Sequence, residues 1–411
     1  MARRRKAFPQ QLDIAHILSV GVLAQACPRS LIDEVLADTG KASQRKRLLP
    51  APAVVYYVMS LALWRELPIE EVLRVVSTSL HWLDDGKNPT TPPCKAAISQ
   101  ARSRLGPEVM RELAARVLRP LARSDSLGAW YRGLRIMALD GSCMDVPDEA
   151  ANAEHFGYAG SSRGASAFPQ IRVLALVECG THAIVGAEYG PFRRSEQKMA
   201  EVLLPATLQP DMLLLADRNF YGYAMWQIAN SSGCRLLWRV RTSLKLAKEH
   251  VLPDGSYLSR IYSATDRAHS KGLQIRVVEY TLDTDTSDSP ERYRLITNLL
   301  DHTQAPAEEL AALYHERWEV EGVFTEVKTR LCAGGHTQLR SKTPALVEQE
   351  LWGLILAHFA IRQLIVHAGL LHNIDPDRLS FTHAVRTVKR RLPQAAANPS
   401  RSPSQSRDGH G

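Results

Sequence analysis

No pair of cysteines in this 411-residue chain has the Cys-x-x-Cys spacing. The six cysteines, Cys27, Cys94, Cys143, Cys179, Cys234 and Cys332, stand singly. That excludes a zinc site or dithiol motif of the paired kind and suits thiols kept reduced in a cytosol. No apolar run reaches 18 residues, so no membrane span is expected. The opening residues, MARRRKAFPQQ, contain no apolar stretch of a secretion signal. Internal repeats are also lacking. A cytoplasmic protein is expected.

Negative charge is in deficit. Lysine and arginine number 51 against 43 aspartates and glutamates, which leaves a net charge of +8. A basic balance favours a polyanionic partner but does not specify one. Apolar residues make up 45% of the chain, enough for real cores in two or three domains.

Residues 1–128 read as an all-α N-terminal domain, with apolar spacing of helical period and few strand-like runs. Gly40 is a plausible stop for a helix over 31–40. A buried helix is expected over 51–66, a second over 68–83, and two helices over 90–118 that separate at Gly106-Pro107. The first of these two carries Lys95, Arg102 and Arg104. It reads either as a recognition helix of helix-turn-helix type or as a solvated basic helix in a bundle. Residues 1–6 and the QRKR run at 44–47 add further positive charge.

From 133 the pattern changes to α/β. A strand over 134–140 is followed by a hairpin over 168–190 that turns at Gly180-Thr181, a helix over 195–208 and a strand over 211–217. This order is that of a ribonuclease-H-like core, in which the first and fourth strands are neighbours. The first part of the core is expected over 133–235. A β-rich insertion over 236–305 includes the runs CRLLWRVR, LQIRVVEYTL and YRLITNLL. The rest of the core and the C-terminal helices occupy 306–392. The tail, 393–411, is rich in Pro, Ser, Asn and Gln and is expected to be disordered.

Two aspartates end apolar strands: Asp140 closes LRIMALD and Asp217 closes DMLLLAD. A third acid comes from the stretch YHERWEVEGVFTEVK (314–328), which offers four glutamates. At about 100° per residue, Arg317, Glu321 and Lys328 fall within about 60° of Tyr314, whereas Glu319 and Glu326 fall at about 140° and 120° and Glu316 at about −160°. Glu321 is therefore the acid that shares a face with two cations and a phenol. Glu319 and Glu326 are expected to be solvated charges. Leu313, Val320, Phe324, Val327 and Leu331 form the adjoining apolar stripe. Carboxylates at two strand ends and on a covering helix suit divalent cations and phosphodiester chemistry. Asp145, five residues past Asp140, is a lesser candidate ligand.

The motifs ALDG (138–141), LLADRNFYGY (214–223) and Tyr314-x2-Arg317-x3-Glu321-x6-Lys328 resemble those of DDE transposases of the insertion element 4 family. Asn219 stands where that family often has glycine. The resemblance runs over roughly residues 10 to 391. It implies Asp140, Asp217 and Glu321 as catalytic metal ligands, with Mg²⁺ as the cofactor and Mn²⁺ as a substitute. It also implies double-stranded DNA as partner, both as terminal inverted repeats and as target, and a homo-oligomer, a dimer in the synaptic complex, without membrane contact. Excision through a DNA hairpin is implied by the resemblance alone. Tyr314, Arg317 and Lys328 would contact DNA phosphates, although a packed core tyrosine is an alternative for Tyr314. Trp318 borders the same face and would stack or pack. Trp238 is either a stacking platform for an unpaired base or a buried strand residue. A nuclease that cuts without joining and an inactive DNA-binding relic are the alternative functions.

Overall fold

The computed structural model describes residues 20–43, 49–77, 94–161, 164–282, 291–331 and 338–397. The basic runs at 1–6 and 44–47 lie outside them, as do residues 398–411.

Among the described residues, five helices precede the strands: α1 (Val20–Ala26), α2 (Arg29–Asp38), α3 (Ala51–Leu63), α4 (Ile69–Ser77) and α5 (Lys95–Val117). Prolines start two of them. Pro28 and Pro50 precede α2 and α3, and Pro52 sits in the first turn of α3, where a missing N–H leaves no helical bond unmade. After α2, Gly40 takes φ +68°, and its N–H donates to the Ala37 carbonyl at 3.1 Å. That left-handed turn ends the helix as expected. α3 is buried from Pro52 through Leu63. The break expected at Gly106-Pro107 is a kink within α5, with Gly106 at φ 75°.

Eleven strands form one sheet among the described residues: β1 (Trp130–Tyr131), β2 (Leu134–Asp145), β3 (Tyr158–Ser161), β4 (Gly164–Glu178), β5 (Ala183–Pro191), β6 (Met212–Ala216), β7 (Arg235–Arg239), β8 (His250–Val251), β9 (Tyr257–Ile261), β10 (Leu273–Leu282) and β11 (Glu291–Thr297). Two helices flank the core strands, α6 (Ala150–Phe156) and α7 (Glu196–Thr207). β4 and β5 are antiparallel neighbours of β2 and β4 respectively. α7 then crosses over, and β6 returns parallel to β2, pairing Leu139 with Ala216. This is the ribonuclease-H-like order. All five residues of β6 are buried, which explains its unbroken apolar run: a central parallel strand is covered on both faces.

β7 differs from expectation. It was expected to open the insertion, yet it pairs in parallel with β6 and extends the core sheet. Leu236, Leu237 and Trp238 are all fully buried, the same two-sided burial as β6. β11 then adds antiparallel to β7, so the insertion strands prolong the core sheet instead of forming a separate one. Trp238 packs edge-on against Trp226 of α8 (Tyr223–Ser231), with ring centroids 5.2 Å apart. It is the buried strand residue, not a stacking platform.

The stretch expected as one helix over 314–328 is a rod with two irregular turns. α9 (Ala307–Tyr314) runs into a 3-10 turn (His315–Trp318), then α10 (Glu319–Thr325), then a π-helical turn (Glu326–Arg330). Such wide turns often mark functional sites. Leu313, Val320, Val327 and Leu331 are buried, as the stripe requires. α11 (Pro344–His372) is apolar enough to cross a membrane by length and composition, but most of it is buried against α3, α5, α1 and β5. A 3-10 turn (Pro376–Arg378) leads to α12 (Phe381–Ala397), which continues past the expected boundary at 393.

Candidate active site

Asp140 lies within β2, one residue past the Leu139–Ala216 pair, and Asp217 directly follows β6, so adjacency in the sheet brings them together; β2 runs on to Asp145 and does not end at Asp140 as expected. The Gly141 N–H donates to Asp140 Oδ1 at 2.8 Å, and Arg317 Nη1 lies 3.7 Å from Oδ2. Burial pushes the Asp140 carboxyl above its ordinary range, the Gly141 amide and Arg317 pull it back, and Asp217 pushes it up again. Glu321 is exposed on α10, which packs against β2. Its carboxyl is raised by burial, lowered by Arg317 and raised by Asp140 and Asp217. Asp140 thus feels Asp217, and Glu321 feels both aspartates. The three do not crowd into one coordination sphere, however. Among the described residues, three donor groups come within 4.8 Å of one another only at His182, Glu319 and Asp377. Asp145, the last residue of β2, accepts from Gln170 Nε2 at 2.8 Å.

Arg317 sits in the 3-10 turn, 7% exposed, and its Nε has no partner. Its guanidinium carbon lies 5.1 Å from the ring centre of Trp318, which is 49% exposed. Lys328, in the π-turn, is hydrogen-bonded to the Ser142 hydroxyl two residues beyond Asp140. Burial lowers its pKa, against the opposing influence of Cys143 and Asp145. Tyr314 departs from the expected phosphate contact. It is 1% exposed, and its hydroxyl donates to the Ala216 carbonyl at 3.4 Å, under the end of β6. It is the packed core tyrosine.

Glu196 was not anticipated from the sequence. It lies half-buried at the start of α7. Burial raises its pKa, Arg172 lowers it, and Asp140 and Asp217 raise it. The signal that was present is Gly141, next to Asp140. A Cβ built there would lie 2.4 Å from the Glu196 carboxyl carbon.

The far side of the rod corrects the helical wheel. Glu326 is not a solvated charge: it is fully buried and accepts from Arg362 Nε at 2.8 Å and pairs with His358 Nε2 at 3.1 Å. Burial opposes its charge, but Arg362, His182 and His358 more than offset this and hold the carboxyl well below its usual range. Glu319 accepts from the Gly180 N–H at 2.5 Å. Burial, reinforced by hydrogen bonding with Glu316, pushes its pKa up to about 9. The wheel placed both acids away from Glu321 but had no information on what covers that side, which is α11 and the β4–β5 turn. In that turn His182 takes φ 58°. Arg362 Nη2 lies 2.6 Å from His182 Nδ1, so Nδ1 must accept and Nε2 carries the proton of the neutral ring. A protonated Nε2, 3.3 Å from Asp377 Oδ1, suits an ion-dipole contact and opposes a metal at the His182, Glu319 and Asp377 cluster.

On the N-terminal side, Lys95 and Arg104 are exposed on α5, but Arg102 is buried. Its Nε donates to Gln349 Oε1 at 2.8 Å and its Nη2 to Ser341 Oγ at 3.0 Å. Arg102 is therefore a tie between α5 and α11, not a surface cation.

Comparison with known families gives two matches. Residues 17–115 match the insertion element 4 transposase N-terminal family, and residues 131–360 match the transposase DDE domain. The chain belongs to the insertion element 4 family of DDE transposases. The DDE match takes in Asp140, Asp217 and Glu321. The transposase is 29% identical over 383 residues to transposase InsG for insertion sequence element IS4 of Escherichia coli (strain K12), covering 92% of this chain and 84% of that one. Among solved structures it is similar to the cryo-EM structure of a piggyBac transposase synaptic complex with hairpin DNA, at 9% identity and a TM-score of 0.47, covering 98% of this chain and 89% of that one.

Proposed function

We propose that this transposase binds the terminal inverted repeats of its own element, cleaves the DNA at their ends and joins the 3′-hydroxyls to target DNA. The observation that supports this reading is that Asp140 and Asp217 both follow the Leu139–Ala216 pair of the adjacent parallel strands β2 and β6, with Glu321 within the field of both. These carboxylates fit Mg²⁺, or Mn²⁺ in its place. They are hard oxygen donors, and the side chains of Asp217 and Glu321 have no hydrogen bond or ion pair to spend among the described residues. When bound, such cations activate the attacking hydroxyl and stabilise the departing oxyanion.

The protein's own residues hold the DNA. Arg317 reaches toward Asp140 from below, and Lys328 stands beside Ser142; both suit phosphate contacts that position the strand without reading its sequence. Tyr314 braces the backbone just before Asp217. Lys328→Ala is expected to slow cleavage by roughly a hundredfold, the scale of a misplaced reacting group, while Mn²⁺ binding measured by calorimetry stays unchanged. Loss of Mn²⁺ binding in folded protein would assign Lys328 a different role.

We assign end recognition to residues 1–128. Lys95 and Arg104 supply exposed charge on α5, and affinity is expected to fall steeply with salt as phosphate contacts release counterions. Replacing both by alanine should weaken end binding and flatten that salt dependence. Arg102→Ala should instead cost about 1–3 kcal/mol in urea unfolding, since it leaves buried partners unsatisfied. Equal loss of DNA affinity without loss of stability in Arg102→Ala would contradict this division.

The deciding assay pairs linear DNA carrying the element's ends, taken from the sequence flanking the gene, with a supercoiled plasmid. Joined products are expected, formed by paired ends and at least two protomers. Nicks and breaks alone indicate a nuclease, and binding without either indicates an inactive relic.

A further inference from the structure

We propose that Glu196 is a fourth metal-binding carboxylate of this centre, beside Asp140 and Asp217. The inference deepens the function proposed above and rests on it.

Local structure sets the position. Ser195 caps α7, its hydroxyl accepting from the Lys198 N–H at 3.3 Å. Glu196 is therefore the first residue of a 12-residue helix, on its positive end, where an ionised carboxylate is favoured. Its side chain does not turn back to cap its own helix, and no hydrogen bond or ion pair to its carboxylate is found among the described residues. Arg172, the cation that acts on it most, has its guanidinium 4.7 Å from the Phe192 ring centre.

Gly141 supplies the independent observation. It lies within β2, paired with Leu174 of β4, and is not among the residues of positive φ. Backbone freedom is thus not what a glycine provides there. What it provides is space: a Cβ would meet Glu196 Cδ and Oε1 at 2.4 Å. The missing side chain lets a carboxyl group stand against the backbone next to Asp140. Buried Arg317, with its Nε unpartnered, points to the same centre from the opposite side. A half-buried carboxylate without a protein partner, admitted by a glycine into a site that already holds two aspartates, is costly unless a cation joins it. Glu196 adds a hard oxygen donor beside Asp140 and Asp217, whose charges already act on it, and such donors suit Mg²⁺ or Mn²⁺.

The test is calorimetric titration of the full chain with Mn²⁺, without DNA. Glu196→Gln preserves shape and removes charge, and should weaken Mn²⁺ binding at least about tenfold. Gly141→Ala keeps the charge and displaces the flexible carboxyl end, and should weaken binding similarly. Metal-free melting should be unchanged in Glu196→Gln. Wild-type Mn²⁺ binding in Glu196→Gln overturns the inference even if Gly141→Ala does not fold. Weakening in Glu196→Gln with wild-type binding in folded Gly141→Ala also overturns it, because the carboxylate then acts through its field and not as a ligand. Asp140→Asn and Asp217→Asn separate the two levels. If they abolish binding while Glu196→Gln does not, only the role of Glu196 falls; if they too bind Mn²⁺ as wild type does, the site itself is wrong.

Discussion

Glu321→Ala is expected to remove cleavage and strand transfer together, by roughly a thousandfold, the scale for loss of one preorganised electrostatic group. Glu321 is exposed on α10, so its removal should alter folding stability by no more than about 0.5 kcal/mol. Binding of end DNA should also persist, because it rests on other residues. The loss is thus expected in the chemical steps alone. Single-turnover cleavage of end DNA, alongside a gel shift and urea unfolding, checks all three. Cleavage near the wild-type rate would overturn both the helix phase and the three-carboxylate assignment. Glu321→Gln should be as inactive as the alanine variant, since an amide keeps the shape but not the charge that a divalent cation requires.

The choice of Glu321 among four glutamates rests on helical phase over short distances. From Arg317 to Glu321 is about one turn, and the 3-10 and α geometries diverge little across it. The adjacency of Asp140 and Asp217 was legible in the strand order, which makes β2 and β6 neighbours. The end of the first strand was not: the apolar run stops at Asp140, but β2 keeps pairing with β4 to Asp145, because an antiparallel edge can carry polar residues on one face. Tertiary covering was not legible. Nothing local distinguishes Glu326 from a solvated charge; Arg362 and His358, its partners, stand more than 30 residues away on α11. Arg102 reads as a surface cation for the same reason, its partners lying on the far side of the chain. β7 was assigned to the insertion because an apolar run such as CRLLWRVR does not state which strand it will pair with. Glu196 escaped notice because it begins a helix instead of ending a strand, and the only sign of it is the absence of a side chain at position 141.

Glu326→Ala carries the largest expected stability effect. The substitution leaves the Arg362 guanidinium, 2% exposed, without its main counter-charge and the His358 ring without its partner. Removing one member of a buried ion pair costs about 3–5 kcal/mol, because the other charge remains buried and uncompensated. Arg362→Ala should cost a similar amount, and the double variant less than the sum of the two, since each single change already breaks the same pair. Acid dependence supplies a second reading. Arg362, His182 and His358 hold the folded-state Glu326 carboxyl well below the ordinary range of a glutamate, so its contribution is fully present above that range and is lost as pH falls toward the folded-state value. The wild-type chain should therefore lose stability on acidification more steeply than Glu326→Ala. The cluster also bears on the site, because it clamps the π-turn next to α10 onto α11, and α10 carries Glu321. Glu326→Ala should lower cleavage in proportion to the folded fraction and, in the protein that remains folded, raise the Mn²⁺ concentration needed for half-maximal rate. Wild-type stability in urea would show that the buried charges have other partners, and the clamp would then have no energetic basis.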